Sequence, residues 1–272
     1  MGRGDTEWYT RTYRCRNGVV EKTKYPVCIS GGKQNRRERR RAAKKASRAG
    51  DNAARQAARL LNNNFFTGIS DHLLLSYSES GYKKLLKRAD RLMPDLPERD
   101  RIFIAAQKEL ENFVRRVQYE TKGVKYFAIT SDMDGESGEP VRIHHHIIIE
   151  RECLEVCKKK WEKLGLALEK ELYSINGDLT PLASYLINQV RYIPDNKRYT
   201  RSRNLEEPEM TEPLEVTRYA ENEISLPAGA ILLYRSPYSR GTSQYVRYLM
   251  RDRKRMSGPG ACTVNIESRL QC

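Results

Sequence analysis

Three of the chain's four histidines are consecutive, His144-His145-His146, inside the apolar run 141–149. Such a β-branched run predicts a buried strand. Successive side chains on a strand point to opposite faces, so His144 and His146 share one side and His145 takes the other. Two imidazoles on one face can hold one metal ion; imidazole accepts Zn, Mn, Fe, Ni or Cu, so the pair alone does not name the metal. The plainer use is a pair of hydrogen-bonded core histidines. A third ligand is needed, and the facing strand of the expected hairpin offers Ser131, Asp132 and Asp134. An oxygen donor there makes a mixed site suited to Mg²⁺ or Mn²⁺, with open positions for phosphate and water; Asp132 is the candidate.

Tyr185 lies in the segment Leu182-Ala183-Ser184-Tyr185-Leu186-Ile187-Asn188-Gln189, which reads as a helix. A phenol is a weak nucleophile at its ordinary pKa near 10, but beside a metal that polarises a phosphate, in-line attack becomes feasible. The product is a 5′-phosphotyrosine and a free 3′-hydroxyl. With 16 tyrosines in the chain, packing is the commoner use of any one of them, and the assignment needs context.

The charge points to a polyanionic partner. The net charge is +15, and residues 1–60 hold seventeen Lys/Arg against five Asp/Glu, a net +12. Clustered cations gain affinity for nucleic acid by releasing condensed counterions; a solvated tail is the bland alternative. Residues 33–61 are rich in helix formers and predict a helix in a basic arm, 1–64. Its Arg36, Arg37, Arg39, Arg40, Arg41, Lys44 and Lys45 cannot share one face, so they are read as DNA contacts. Lys197, Arg198, Arg201, Arg203 and Asn204 around Tyr199 form a second cluster, able to hold phosphates and stack an unpaired base.

The elements that must position these groups follow from periodicity. Residues 71–78 read as a strand, 79–92 and 97–120 as helices separated at Pro94 and Pro97, 125–130 and 141–149 as a hairpin around a polar turn. Residues 151–164 read as a helix, 167–174 as a strand, and 179–191 as a helix opened by Thr180-Pro181. This order predicts an α+β fold over 65–208, an antiparallel sheet with helices on one face as in ferredoxin-like folds. Residues 209–272 are expected to be an irregular appendage in which 230–234 and 243–249 are ordered.

The run Ile143-His144-His145-His146-Ile147-Ile148-Ile149, then Tyr185-Leu186-Ile187, then residues 197–205 (KRYTRSRNL) resembles the HUH-superfamily replication initiators of phages and mobile elements in Gram-positive bacteria. Leu73-Leu74-Leu75-Ser76-Tyr77 is similar to that family's first strand motif, and the likeness spans about residues 60–208. The resemblance implies that His144 and His146 bind the metal, that Tyr185 is the single nucleophile, and that Arg203 or Asn204 helps place DNA. It implies nicking and joining of single-stranded or hairpin DNA to initiate rolling-circle replication, with a separate host helicase and polymerase. The chain departs from the pattern where the family tends to have Glu before the histidines, here Ser131-Asp132, and Lys after the tyrosine, here Gln189.

The remaining composition narrows the setting. The six cysteines form no CxxC pair and read as reduced thiols, and no apolar run approaches the roughly eighteen residues of a membrane span. The opening residues lack a secretory apolar core, so a cytoplasmic location in the bacterial host is expected. No Gly-Lys-Ser/Thr phosphate loop is present. The rival readings are a transposase or relaxase of the same superfamily, a non-catalytic DNA binder retaining the fold, and a zinc-structural protein.

Overall fold

A computed structural model of the chain describes residues 5–29, 53–191, 193, 197–216, 223–237 and 242–250. The stretch carrying Arg36, Arg37, Arg39, Arg40, Arg41, Lys44 and Lys45 lies outside them. The chain opens with a long hairpin, β1 (Asp5–Arg14) and β2 (Val19–Ile29), and then enters helix α1 (Ala53–Asn64). There follow β3 (Ser70–Tyr77), α2 (Glu79–Leu92), α3 (Glu98–Thr121), β4 (Tyr126–Met133), β5 (Pro140–Glu150), α4 (Leu154–Trp161), β6 (Gly165–Lys170) and α5 (Thr180–Asn188). Short strands β7 (Thr200–Arg201), β8 (Glu209–Met210) and β9 (Leu214–Glu215) precede β10 (Ala230–Arg235) and β11 (Gln244–Met250).

The fold is α+β, with two antiparallel sheets. The one that carries the histidines runs β6-β3-β5-β4-β7, so β5 is its middle strand and is flanked on both sides. Local chemistry sets its element ends. Ser78 caps α2 by accepting from the Gly81 amide at 3.1 Å. Lys122, at φ 55°, stops α3 in the left-handed conformation. The β4–β5 turn is wound on Asp134, whose Oδ1 accepts from the amides of Glu136 and Ser137 at 3.1 and 2.9 Å.

Helices cover both faces of this sheet, not one. Trp161 of α4 meets Phe113 of α3, Tyr77 and His145 edge-on, with centroids 5.1–5.4 Å apart, and its Nε1 donates to the Ser76 carbonyl at 2.9 Å. The opposite face is covered by α5, whose Leu182, Ala183, Leu186 and Ile187 are buried, with α1 packed against it. The apolar stripe on α5 demands this cover, and a one-sided arrangement leaves it in water.

The residues read as a helical arm and those read as an irregular tail also resolve differently. The β1–β2 hairpin and the C-terminal strands form a second sheet, β10-β11-β2-β1-β8, with β9 also on β1. Helix α1 lies between the sheets and is fastened by charge and ring contacts. Arg59 pairs with buried Glu21 at 2.8 Å and lies 3.6 Å over the Tyr13 ring, while Arg55 lies 4.3 Å over Tyr245. Two cations on aromatic faces and a desolvated ion pair explain how a helix carrying two arginines is buried at all. No helix among the described residues is long and apolar enough to cross a membrane.

Candidate active site

The hairpin register sorts the histidines as strand geometry requires. Ser131 stands opposite His144 and Ile129 opposite His146, while Thr130 stands opposite His145 on the other face. From the other neighbour, Leu74 is opposite His146 and Ser76 opposite His144. Two residues back from Leu74, and so on the same face, is His72. Its Nε2 lies 2.9 Å from Nδ1 of His146. The fourth histidine of the chain thus joins the site, which the sequence reading missed. The signal was present: an imidazole at even spacing from Leu74 and Ser76, on a strand expected beside the histidine strand.

The ring nitrogens are not equivalent. His144 donates from Nδ1 to the Arg142 carbonyl at 3.1 Å, which leaves its Nε2 as the lone pair. His146 is buried, and its Nε2 makes no hydrogen bond of good geometry, although the Gln189 side chain is near enough to favour the charged ring. If His146 donates from Nδ1 to His72, that Nε2 is a bare lone pair; in the other tautomer it is a buried N–H without a well-formed bond, which costs about 1–3 kcal/mol. Burial holds His146 well below its usual range, helped by the charges of His72 and His144, and pushes His72 down to about 4. Both are neutral near pH 7, so an incoming cation displaces no proton from them.

Helix α5 brings the phenol. The Tyr185 ring lies 6.1 Å from the His146 ring, which is 5.1 Å from that of His144, and Tyr185 is 42% exposed. Buried Gln189 donates to the Tyr185 carbonyl at 3.2 Å, and the Ser131 hydroxyl donates to the Gln189 carbonyl at 2.8 Å. The two departures from the resembled pattern therefore touch. Gly135, in the β4–β5 turn, lies against Tyr185 and Gln189 so closely that a Cβ there runs into the phenol ring. The start of α5 is clamped as well. Asp178 Oδ1 accepts from the Thr180 amide, the Thr180 hydroxyl and Asn62 at 2.9, 2.6 and 3.1 Å, and Oδ2 pairs with Arg247 of the second sheet at 3.0 Å.

Asp132 does not reach the histidines. The register shifts between Ser131 and Met133, and Oδ2 of the carboxylate turns to Arg99 at 2.6 Å and Arg191 at 3.4 Å, while Oδ1 is buried without a hydrogen-bond partner. Charge-assisted bonds to two guanidiniums are strong partners for a buried carboxylate. Asp134 is nearer in effect: its carboxyl is held low by the Ser137 amide and hydroxyl, then the Glu136 amide and the charge of His144. No group of three or more His, Cys, Asp or Glu among the described residues is arranged to hold a metal ion. The protein offers two imidazoles, His144 and His146, backed by His72.

The second basic cluster lies along the edge strand β7. Lys197, Arg198, Arg201, Arg203 and Asn204 line one cleft, beside α3. Tyr199 stacks on Phe127, 4.8 Å between centroids, Arg201 pairs with Glu207 at 2.7 Å, and Asn204 donates to the Gly123 carbonyl at 2.7 Å. The cluster is assembled, but its Tyr199 ring is packed rather than presented for stacking. No family model, curated protein or solved structure matches this chain.

Proposed function

We propose that the chain is a divalent-metal-dependent, single-tyrosine DNA nickase of the HUH type that initiates rolling-circle replication. One observation carries the reading: the buried Nε2 of His146, without a well-formed hydrogen bond, on a ring whose centroid lies 5.1 Å from that of His144 and 6.1 Å from that of Tyr185. A buried polar atom is ordinarily satisfied, and a bare imidazole nitrogen beside a second imidazole and an exposed phenol is suited to Mg²⁺ or Mn²⁺ and a phosphodiester. The strand order β6-β3-β5-β4, with helices between β3 and β4 and between β5 and β6, is in keeping with the ferredoxin-like, split β-α-β arrangement expected of that family.

When bound, the cation polarises the scissile phosphate and offsets charge developing on it. His144 and His146 would hold it, and by accepting from Nδ1 of His146, His72 would keep that ring in the tautomer that leaves Nε2 free. Tyr185 Oη attacks phosphorus in line; the Oη–P bond forms, the P–O3′ bond breaks, and the phenol proton passes through solvent to the 3′ oxygen. The energy of the phosphodiester is kept in the phosphotyrosine, so a returning 3′-hydroxyl can rejoin the ends. Gln189, where the resembled family tends to have Lys, can donate a hydrogen bond but no charge to this region. Cytoplasmic action in a bacterial host, with host helicase and polymerase, belongs to this reading.

Incubation with circular single-stranded DNA and Mn²⁺ tests it. The wild type is expected to form a denaturation-resistant protein–DNA adduct that Tyr185→Phe and His146→Ala lose. Binding without any adduct, on circles that include the chain's own genetic element, replaces the nickase with a DNA-binding protein that keeps the fold.

A further inference from the structure

The cleft beside β7 is not part of the histidine site. It has a volume of about 1130 Å³, above the roughly 300–1,000 Å³ of a small-molecule pocket, and its lining holds five cations (Arg115, Lys197, Arg198, Arg201, Arg203) against one carboxylate, Glu111. Most arginines elsewhere in the described chain are spent on carboxylates, as Arg99, Arg151 and Arg191 are. Arg115, Lys197 and Arg203 have no acidic partner among the described residues, although all three face this cleft. Cations left unpaired and gathered in one concave surface raise the local concentration of a polyanion.

A second cavity, of about 520 Å³, shares Tyr199 and Arg201 with the first and continues to Arg59 and Tyr13 between the two sheets. The first, beside β7, is the cation-lined trough; the second also holds Glu207, which pairs with Arg201. Ala53, the first residue of α1, is part of the trough's lining. β7 is bonded to β4, which is bonded to β5, so the trough starts two strand spacings, about 10 Å, from the histidine strand.

We infer that this trough is a phosphate rail for single-stranded DNA, holding the strand that flanks the scissile phosphate. The inference rests on the nickase reading for its choice of DNA. Because Tyr199 is packed on Phe127, backbone charge rather than base stacking supplies the affinity, and binding is indifferent to sequence.

The test measures affinity of the full chain for a labelled oligothymidylate across a salt series, for wild type and Arg115→Gln/Lys197→Gln/Arg203→Gln. The slope of log K against log salt should fall by about 2, near 0.7 for each lost phosphate contact on a single strand. A charge-matched control, Lys83→Gln/Lys84→Gln/Lys87→Gln on α2, should leave the slope unchanged. An equal drop in the control, no drop in the triple variant, or a drop seen with duplex DNA alone overturns the rail. Matching melting curves for the three proteins confirm that each is folded. Adduct yield on circular DNA is read in the same preparations: a wild type that binds with the expected slope change yet forms no adduct refutes the nickase and keeps the rail.

Discussion

His145 and His146 are neighbours on β5, both buried and both held neutral by burial, yet the strand turns them to opposite faces and their nitrogens meet different surroundings. On the face covered by α3 and α4, His145 has both nitrogens matched: Nε2 lies 2.9 Å from the Tyr77 hydroxyl and Nδ1 2.9 Å from that of Thr130. On the face covered by α5, His146 has one nitrogen against His72 and the other without a well-formed hydrogen bond. Burial alone therefore does not separate a histidine whose hydrogen bonding is complete from one with a nitrogen to spare. What separates them is whether the protein completes the hydrogen bonding or leaves a lone pair over.

The comparison breaks most sharply under substitution. His146→Ala should lower Mn²⁺ affinity and adduct yield by more than the roughly 10–100-fold that loss of an outer-shell partner costs, and His72→Ala should fall within that range. Calorimetric Mn²⁺ titration beside the adduct assay reads both. His145→Ala should instead cost about 3–5 kcal/mol of folding stability in a denaturant titration, because it opens a cavity and strands two buried hydroxyls. A stability loss at His146 as large as at His145 would abolish the distinction between the faces.

Acid should act on both faces. His145 is pushed down to about 3 and His72 to about 4 by burial, against an ordinary value of 6.5. Between 6.5 and these values the unfolded chain binds protons that the folded chain does not, so stability is full above pH 6.5 and is lost as pH falls through that window. Each buried ring contributes about 1.4 kcal/mol per pH unit there. In chemical unfolding at stepped pH, His145→Gln should reduce the slope by one proton; an unchanged slope would show that this ring charges freely in the folded state.

Much of the histidine site was legible because it is local. The helix over 79–92 and the hairpin strands around 126–150 follow from periodicity within single windows, and the His144/His146 pairing follows from strand alternation. His72 needed only the further step of pairing β3 with β5. Asp132 was not legible, because a register shift and two arginines from distant positions decide its direction. Part of the second sheet was hidden for a similar reason, although β1 and β2 pair locally across the Asn17-Gly18 turn. β1 places Arg11 inward between Tyr9 and Tyr13, which spoils its apolar alternation, and its partners around Met210 and Leu214 lie some two hundred residues away. Nothing in a short window announces such a pairing.

The smallest expected effect tests how tightly the face that carries Tyr185 is built, using two glycines of one turn. Gly135 has no room for a side chain, since a Cβ would meet the Tyr185 ring and lie 3.0 Å from Gln189 Cδ. Gly138, at φ +70°, has open space around it. Gly138→Ala should cost about 1 kcal/mol through its left-handed backbone and leave adduct formation unchanged. Gly135→Ala forces either the turn or the phenol to move by a fraction of an ångström to an ångström, and a misplacement of that order slows an oriented attack by about tenfold or more. Single-turnover adduct formation and thermal unfolding, measured on both variants, separate the two effects. Equal rates for Gly135→Ala and wild type would mean that the Tyr185 position seen here is not the one from which it reacts.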